Sequence, residues 1–364
     1  MFKNFFSQPQ SYLGVDIGKT SIKIVSLKKV KGQPTLVNYG YSEATSDFAG
    51  QNAPLDIAKS ARLIREICDR AQIKGNNAIA ALPSFSVFSS VLSLNRTDKK
   101  NLAAVVMGEA KKVMPLDLEE MILDWKILED APELTAMSGS EAGNSTDSNN
   151  GNIRVLLTGA PKSLVKKYIA IFKEAKINLL SLETEIFSLI RSLVGLDKSV
   201  VALVDLGAVN TDIAIIANGL PMFSRSLNSG GIMVTKAVSD SLKVDFKRAE
   251  QFKLDLGLSM NNQPASQPPP IITNTITPIV NEIKYSLNLF RQENNKPIEK
   301  VILSGGGANL PRIDSYLSEA LETKVIVGDP FARVAYPLDL KPALEEIGAK
   351  MAIAVGLALR DTVL

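Results

Sequence analysis

The sequence predicts an α/β fold made of two related lobes, and three segments carry that prediction. Leu13-Gly14-Val15-Asp16-Ile17-Gly18-Lys19-Thr20-Ser21-Ile22-Lys23-Ile24-Val25 is an apolar run, an Asp, an aliphatic residue, a Gly, a small polar turn and a second β-branched run. Leu203-Val204-Asp205-Leu206-Gly207-Ala208-Val209-Asn210-Thr211-Asp212-Ile213-Ala214-Ile215 repeats the same order about half a chain later. Val301-Ile302-Leu303-Ser304 then runs into Gly305-Gly306-Gly307-Ala308-Asn309.

The apolar runs of the first two segments read as buried strands, and their Gly-plus-Thr/Ser/Asn centres read as hairpin turns. A turn poor in bulky side chains exposes successive backbone N–H groups, which is how a loop holds phosphate oxygens. A carboxylate beside such a turn would repel a phosphate unless a cation stood between them. The pairing therefore points to Mg²⁺, which takes a few oxygen ligands plus waters. One such hairpin alone is a weak signal and reads first as an ordinary edge hairpin. Two of them suggest two lobes facing one nucleotide.

Composition agrees and excludes several chemistries. A chain of 364 residues with 45% hydrophobic content can bury two cores. The net charge of +3 is too near balance to argue for nucleic acid. The single cysteine, Cys68, rules out an intrachain disulfide, fits a reducing cytoplasm and falls in an amphipathic pattern as a core thiol. Histidine is absent, which removes a Ser-His-Asp triad, imidazole general-base chemistry and the commonest zinc ligand. No run approaches the roughly 18–20 apolar residues of a membrane span. The opening Met1-Phe2-Lys3-Asn4-Phe5-Phe6 lacks an h-region and a cleavage site, so it reads as a short tail.

Between the motifs, residues 36–42 read as a strand, 54–72 as a helix with Ile57, Ala61, Ile64 and Ile67 on one face, and 77–82 as a buried parallel strand. Residues 84–176 read as a separate module: strands at 85–94, 120–128 and 153–159, and helices at 99–113 (capped by Asp98) and 162–175. Within it, residues 131–152 are rich in Ser, Asn, Gly and Thr and have little to bury, so they read as a disordered loop. Residues 179–193 read as a helix leading into the second hairpin. Helices follow at 231–244, 245–256 and 271–294, with a second loose loop at 259–270. A helix is expected near Pro311 and a closing one over 349–360.

The glycines at 305–307 let a backbone approach something flat or bulky, and the helix start adds a positive dipole end. The segment is neither a P-loop nor a GxGxxG fingerprint. Ser229-Gly230-Gly231 opens a helix whose amides would face the same ligand, and Glu250 and Lys253 share one helical face, as a solvated salt pair also would.

Asp16-Ile17-Gly18, Asp205-Leu206-Gly207 and Ser304-Gly305-Gly306-Gly307-Ala308-Asn309 resemble the two phosphate motifs and the adenosine motif of the actin/Hsp70/hexokinase superfamily. Within it the chain looks most like the PilM family of type IV pilus assembly and next most like FtsA of cell division. That likeness covers nearly the whole chain. It also rests on Glu185-Ile186-Phe187, Ala249-Glu250-Gln251-Phe252-Lys253 and Ala354-Val355-Gly356-Leu357-Ala358-Leu359-Arg360.

The resemblance implies an actin-like two-lobed ATPase fold. Subdomain 1A would comprise 1–83, 177–195 and 349–364, and the inserted 1C 84–176. Subdomain 2A would comprise 196–230 and 299–348, and 2B 231–298. It implies ATP in the cleft and Mg²⁺ between the phosphates and Asp16 and Asp205. Gly18, Thr20, Ser21 and Lys23 would line the first phosphate loop, and Gly207, Asn210 and Thr211 the second, with Gly230 and Gly231 beside it. Glu250 and Lys253 would approach the ribose or adenine, and Gly305, Gly306 and Asn309 the adenosine.

It further implies a cytoplasmic partner: the N-terminal tail of PilN, bound in a groove of the first lobe near 1C. Through that tail the chain would reach the PilN/PilO inner-membrane complex and the pilus motor. Lys19 and Thr20 replace the small serines usual after the first Gly, and Glu183 sits where the family often has Asp.

The leading expectation is a nucleotide-dependent scaffold or switch with at most slow ATPase activity. No catalytic residue is assigned. A small-molecule kinase of the same superfamily is the first alternative, but no acceptor signature is found. FtsA-like tethering is the second, set against a chain that stops directly after its closing helix.

Overall fold

The computed structural model describes residues 11–42, 55–94, 99–114, 117–128, 153–258 and 269–363. The opening hexapeptide, Asp98, the 131–152 loop and residues 259–268 of the second loop lie outside the described residues. Elements are numbered along the chain.

Two five-stranded sheets of identical plan make up the larger unit, which comprises residues up to Pro83 and from Ile169 onward. In the first, β1 (Ser11–Ile17) turns back antiparallel onto β2 (Ile22–Val30), which pairs with β3 (Gln33–Tyr41). On its other side β1 runs parallel to β4 (Asn77–Leu82), which is followed by β8 (Asn178–Thr184), giving the order β3-β2-β1-β4-β8. In the second, β9 (Val201–Leu206), β10 (Thr211–Ala217), β11 (Leu220–Leu227), β12 (Lys300–Ser304) and β13 (Val325–Val327) repeat that plan as β11-β10-β9-β12-β13. The duplicated motif is thus a duplicated hairpin, and in each sheet it stands at the centre. Apolar runs such as Leu13, Val15, Val201 and Leu203 are buried because helices or strands cover both faces of a central strand.

Helices close the two cores. α1 (Ile57–Arg70) is capped by Asp56, whose carboxylate accepts from the Lys59 amide, and it buries Ala61, Ile64 and Ile67. α5 (Gly231–Leu242), α6 (Phe246–Leu256), α7 (Pro270–Asn294) and α8 (Ile313–Leu321) belong to the second lobe. α7 packs Ile276, Ile279, Ile283 and Leu287 against Val204, Ile213 and Ile215. α9 (Lys341–Val363) serves both lobes. Met351, Ala354, Val355 and Ala358 pack with Val25, Leu27 and Leu36, while Ala352, Ile353 and Leu357 join Ile79, Leu203 and Ile302. The helix can lie flat on β1 only because residue 14 is glycine: a Cβ there would stand 1.9 Å from the Ala354 carbonyl oxygen.

Residues Ser84–Tyr168 form a second compact unit. β5 (Phe88–Leu94) and β6 (Met121–Leu128) flank β7 (Ile153–Pro161) antiparallel, and α2 (Lys99–Val113) packs Leu102, Val106 and Ala110 on Leu92, Leu94, Val155 and Leu157. α3 (Lys162–Glu174) begins in this unit and ends in the larger one.

The structure corrects the expected helix over 179–193. Residues Asn178–Thr184 are a strand; only Glu185–Leu189 is α-helical (α4), followed by a π-helical turn over Ile190–Val194. Leu179, Leu180 and Leu182 make a short apolar run, and such a run fits a buried parallel strand and a buried helix equally well. The helix expected near Pro311 starts at Ile313, after a 3-10 turn over Gly306–Asn309. The closing helix begins earlier, at Lys341. β11 and β13 have no counterpart in the sequence reading. Among the described residues no helix is long and apolar enough to cross a membrane.

Candidate functional site

Asp16 is the penultimate residue of β1 and Asp205 the penultimate residue of β9, so the matching topology sets both carboxylates at the same end of their sheets. They lie near enough to each other that the charge on Asp16 helps to raise the pKa of Asp205.

In the first hairpin the Gly18 amide donates to the Ser21 carbonyl at 3.0 Å, closing the turn that holds Lys19 and the buried Thr20. Lys23 stands across the hairpin from Asp16, and its ammonium donates to Asp16 Oδ2 at 2.9 Å. Burial alone would lower the pKa of Lys23. Asp16, with smaller help from Asp205 and Glu185, instead holds it above its ordinary value, so the group is a fixed cation.

The second hairpin has the same frame with different charge. Ser304 Oγ donates to Asp205 Oδ1 at 2.7 Å. Burial pushes the Asp205 carboxyl up, the Ser304 hydrogen bond opposes it, Asp16 adds to it and Lys23 reduces it. Across the hairpin stands Asp212, which receives the Ser226 hydroxyl. Its carboxyl is pushed up to about 6 by burial, against the Ser226 bond and with help from Asp205.

The turn between these strands is pinned to the start of α5. Gly231 N donates to Gly207 O at 3.0 Å and Ile232 N to Ala208 O at 2.9 Å. A Cβ on Gly230 would meet Gly207 O at 2.6 Å, so the chain can cross here only at glycine. Thr211 Oγ1 donates to Ser229 O at 2.8 Å, and Asn210 Nδ2 reaches Asn228 Oδ1 at 3.4 Å. The amides of Gly231 and Ile232 are therefore held by the turn itself.

A largely apolar pocket, open to solvent, lies beside this turn. Gly230, Gly231, Thr211, Gly306 and Gly307 form part of its wall, and Ile276, Ile279 and Leu317 line its apolar side. Lys253 brings a buried ammonium to it, held by Glu250 Oε1 and Oε2 at 2.7 Å and donating to Thr235 Oγ1 at 3.1 Å. Thr235 in turn donates to Glu250. The pair expected on one helical face exists; Lys253 is the member in the pocket wall, while Glu250 stays partly exposed.

The third glycine segment has a separate task at each residue. Gly305 sits at φ +81°, where a Cβ would also meet Leu206 O at 2.5 Å. Gly307 packs on Leu206, whereas a Cβ on Gly306 would meet open space. Gly305 N donates to Ala349 O at 2.9 Å, and Asn309 Nδ2 to Glu346 O at 3.0 Å, so the Asn309 side chain ties the turn to α9.

The structure thus groups Asp16, Gly18, Lys23 and Asp205 at one end and Thr211, Gly230, Gly231, Lys253 and Gly306 around the cavity. Sequence reasoning passed over Asp212, Ser304, Thr235 and Glu185 as participants. Asp212 was findable, since it stands seven residues after Asp205 as Lys23 does after Asp16. Among the described residues no group of three His, Cys, Asp or Glu side chains gathers as a metal cage would. The donor set fits a Mg²⁺ that keeps waters and takes phosphate oxygens as its other ligands, with Asp205 the carboxylate not closed in a salt bridge.

The sequence profile of type IV pilus assembly protein PilM matches residues 14–362. The chain belongs to the PilM family. Its fold is that of the actin-like ATPases. A solved PilM-PilN type IV pilus biogenesis complex superimposes with a TM-score of 0.79 at 23% identity, covering 98% of this chain and 100% of that one. MreB5 of Spiroplasma citri bound to AMPPNP matches with a TM-score of 0.54 at 13% identity, covering 98% and 97%. In sequence the chain is similar to the cell division protein FtsA of Enterococcus faecalis, 20% identical over 86% of this chain and 77% of that protein. FtsA of Streptococcus pneumoniae is 23% identical over 68% of this chain, which spans only 56% of that relative's length.

Proposed function

We propose that this PilM-family chain binds ATP and serves as a nucleotide-dependent scaffold for the cytoplasmic N-terminal tail of PilN, which would hold it at the inner membrane. The observation that carries the nucleotide reading is the placing of Asp16 and Asp205 at equivalent strand ends, within electrostatic reach of each other, with Leu206 and Thr211 of the second hairpin in the pocket wall. The phosphates would lie against the turns at Gly18–Ser21 and Gly207–Asn210. The adenosine would enter the cavity, with Glu250 and Lys253 near the ribose and Gly305, Gly306 and Asn309 forming the adjoining turn. That MreB5 matches in fold and was solved with AMPPNP and with ADP supports a nucleotide here.

Mg²⁺, if bound, would neutralise phosphate charge beside Asp205 and Asp16. The protein's own part is to orient the phosphates. Lys23 supplies a fixed positive charge, and Ser304 holds one oxygen of Asp205 in place. The solved complex of a relative with PilN supports the choice of partner. Coupling between the two ligands requires that the tail bind the ATP-loaded and ADP-loaded forms with different affinity.

Isothermal titration of the PilN tail peptide into the chain loaded with ATP and with ADP tests this. A difference of several-fold between the two is expected. Equal affinities would reduce the protein to a scaffold, and failure to retain either nucleotide would overturn the reading.

A further inference from the structure

The chain passes from the first sheet to the second after β8 and returns after β13. Each passage is moored at both ends. On the outgoing one, Arg191 is held to β8 by Glu183 at 2.8 and 3.0 Å, and Asp197 to β12 by Lys300 at 2.8 Å. On the return, the Gly328 amide donates to Leu303 O of β12 at 2.9 Å. Farther along, the Ala335 amide donates to Pro34 O at 2.8 Å, and Ala335 O accepts from the Leu36 amide of β3 at 2.9 Å.

Between its moorings the outgoing passage takes an unusual path. Ile190–Val194 is a π-helical turn, closed by the Gly195 amide on Ile190 O at 2.7 Å. Gly195 itself stands at φ +60° and ψ −115°, a conformation that favours glycine. Uncommon backbone of this kind persists where the surroundings hold it.

Here the hold comes from the other passage. Arg333 Nη1 donates to Arg191 O at 3.1 Å. Its guanidinium covers Gly195 so closely that a Cβ there would fall within it. A second contact accompanies the first: Gly328 packs on Leu193, where a Cβ would stand 2.7 Å from Cδ2. Arg333 lies between the Gly328 and Ala335 moorings and is exposed, so burial does not dictate its place. The planar fork of a guanidinium is already organised for such a grip.

We infer that Arg333 is a clasp joining the two interlobe passages, so that they bend as one hinge. It is a positioning residue, acting through the backbone at Arg191 and Gly195, and its role does not depend on which ligand the lobes enclose. With the clasp open, each passage flexes alone, the π-helical turn opens more often and the lobes reach a wider range of angles.

Two measurements on the full chain test this, with R333A, G195A and the double variant beside the native protein. Hydrogen exchange over residues 190–197 is expected to quicken about fivefold in R333A, the worth of roughly one hydrogen bond, with α1 and α7 unchanged. G195A displaces the guanidinium by itself, so adding R333A to it should quicken exchange no further. Electron-spin distance measurements between labels at Gln33→Cys and Lys284→Cys, with Cys68→Ser, read the interlobe spacing. R333A is expected to broaden that distribution.

Unchanged exchange over residues 190–197 in R333A overturns the clasp, as does quickening that extends equally to α1 and α7. So does an interlobe distribution that R333A leaves as narrow as the native one, or a full R333A effect on top of G195A. Should G195A fail to fold, R333A decides alone.

Discussion

Lys23 and Asp212 occupy the same position in the two halves of the molecule and carry opposite charge. Each stands directly across its hairpin from the strand-end carboxylate of that half, Lys23 from Asp16 and Asp212 from Asp205. A repeated backbone has been given an unequal pair of side chains. One half holds a neutralised carboxylate, the other a pair of acids whose protons are held more tightly than usual.

That asymmetry predicts a pH effect. Asp212 is lifted by burial, against the Ser226 bond and with the help of Asp205, from 3.8 to about 6. A carboxyl with a raised pKa in the folded state binds its proton more tightly there than in the unfolded chain. The stability this gives is complete below about 3.8 and is lost as pH rises through about 6. Asp212→Asn, which cannot ionise, should therefore melt a few degrees above the native chain at pH values above 6 and converge with it near pH 4. Thermal melts across that range decide it; a difference independent of pH would count against the assignment.

The glycine turn separates binding from folding. Gly306→Leu places a side chain in the open space at the cavity wall. It should weaken nucleotide binding by about tenfold or more, as displaced contacts of roughly 1.4 kcal/mol would, with the melting temperature nearly unchanged. Gly305→Ala should do the reverse, lowering stability because its φ is +81° and its Cβ would press on Leu206 O. Paired melting and binding measurements on the two variants would show whether the effects cross as stated.

Close backbone approach predicts the most damaging small substitutions. A Cβ on Gly356 would stand 1.9 Å from Ser188 O, as one on Gly14 would from Ala354 O. Gly14→Ala and Gly356→Ala should each cost about 3 kcal/mol or more, at the upper end for overpacking, because backbone rather than a flexible side chain must move. Urea unfolding midpoints measure this, and losses under 1 kcal/mol would mean that α9 shifts more easily than the packing implies.

Glu183 anchors the end of β8. It holds Arg191 at 2.8 and 3.0 Å, with Arg360 of α9 at 3.9 Å, and Arg191 also donates to the Gly356 carbonyl. Glu183→Gln leaves two guanidinium groups without their counter-charge and should cost about 3 kcal/mol, the usual result of breaking a partly buried pair from one side. Denaturant titration checks it, with a double variant also lacking Arg191 expected to recover part of the loss.

What was legible in the sequence was whatever repeated or broke a period. The Asp16 and Asp205 hairpins announced themselves twice, and α7 and α1 showed apolar faces at helical spacing. Leu179 to Leu182 reads equally well as helix because Leu-Leu-Ser-Leu is too short to show a period of its own, and only pairing with β4 makes it a strand. β13, at three residues, is defined by its parallel partner β12 and by little within itself. The cavity wall was partly legible through Gly306 and Lys253. Thr235 and Ser304 were not, since a hydroxyl becomes meaningful only once burial fixes its acceptor. Cys68 stands half-buried at the border of the α1 core face, not in the core as its place in the amphipathic pattern predicts; burial, with Asp69, pushes its thiol up to about 11.

The long helix α9 sets which relative movements of the two lobes the protein tolerates. At one point it accepts the Gly305 amide on Ala349 O, and five residues on it presses Ala354 O against Gly14 of β1. At a rise of about 1.5 Å per residue these two grips lie roughly 7.5 Å apart along one rigid rod. Sliding one lobe past the other would tear one grip or the other, whereas turning about the rod preserves both. A ligand that pulls the two hairpins together works against α9 at both of these points at once.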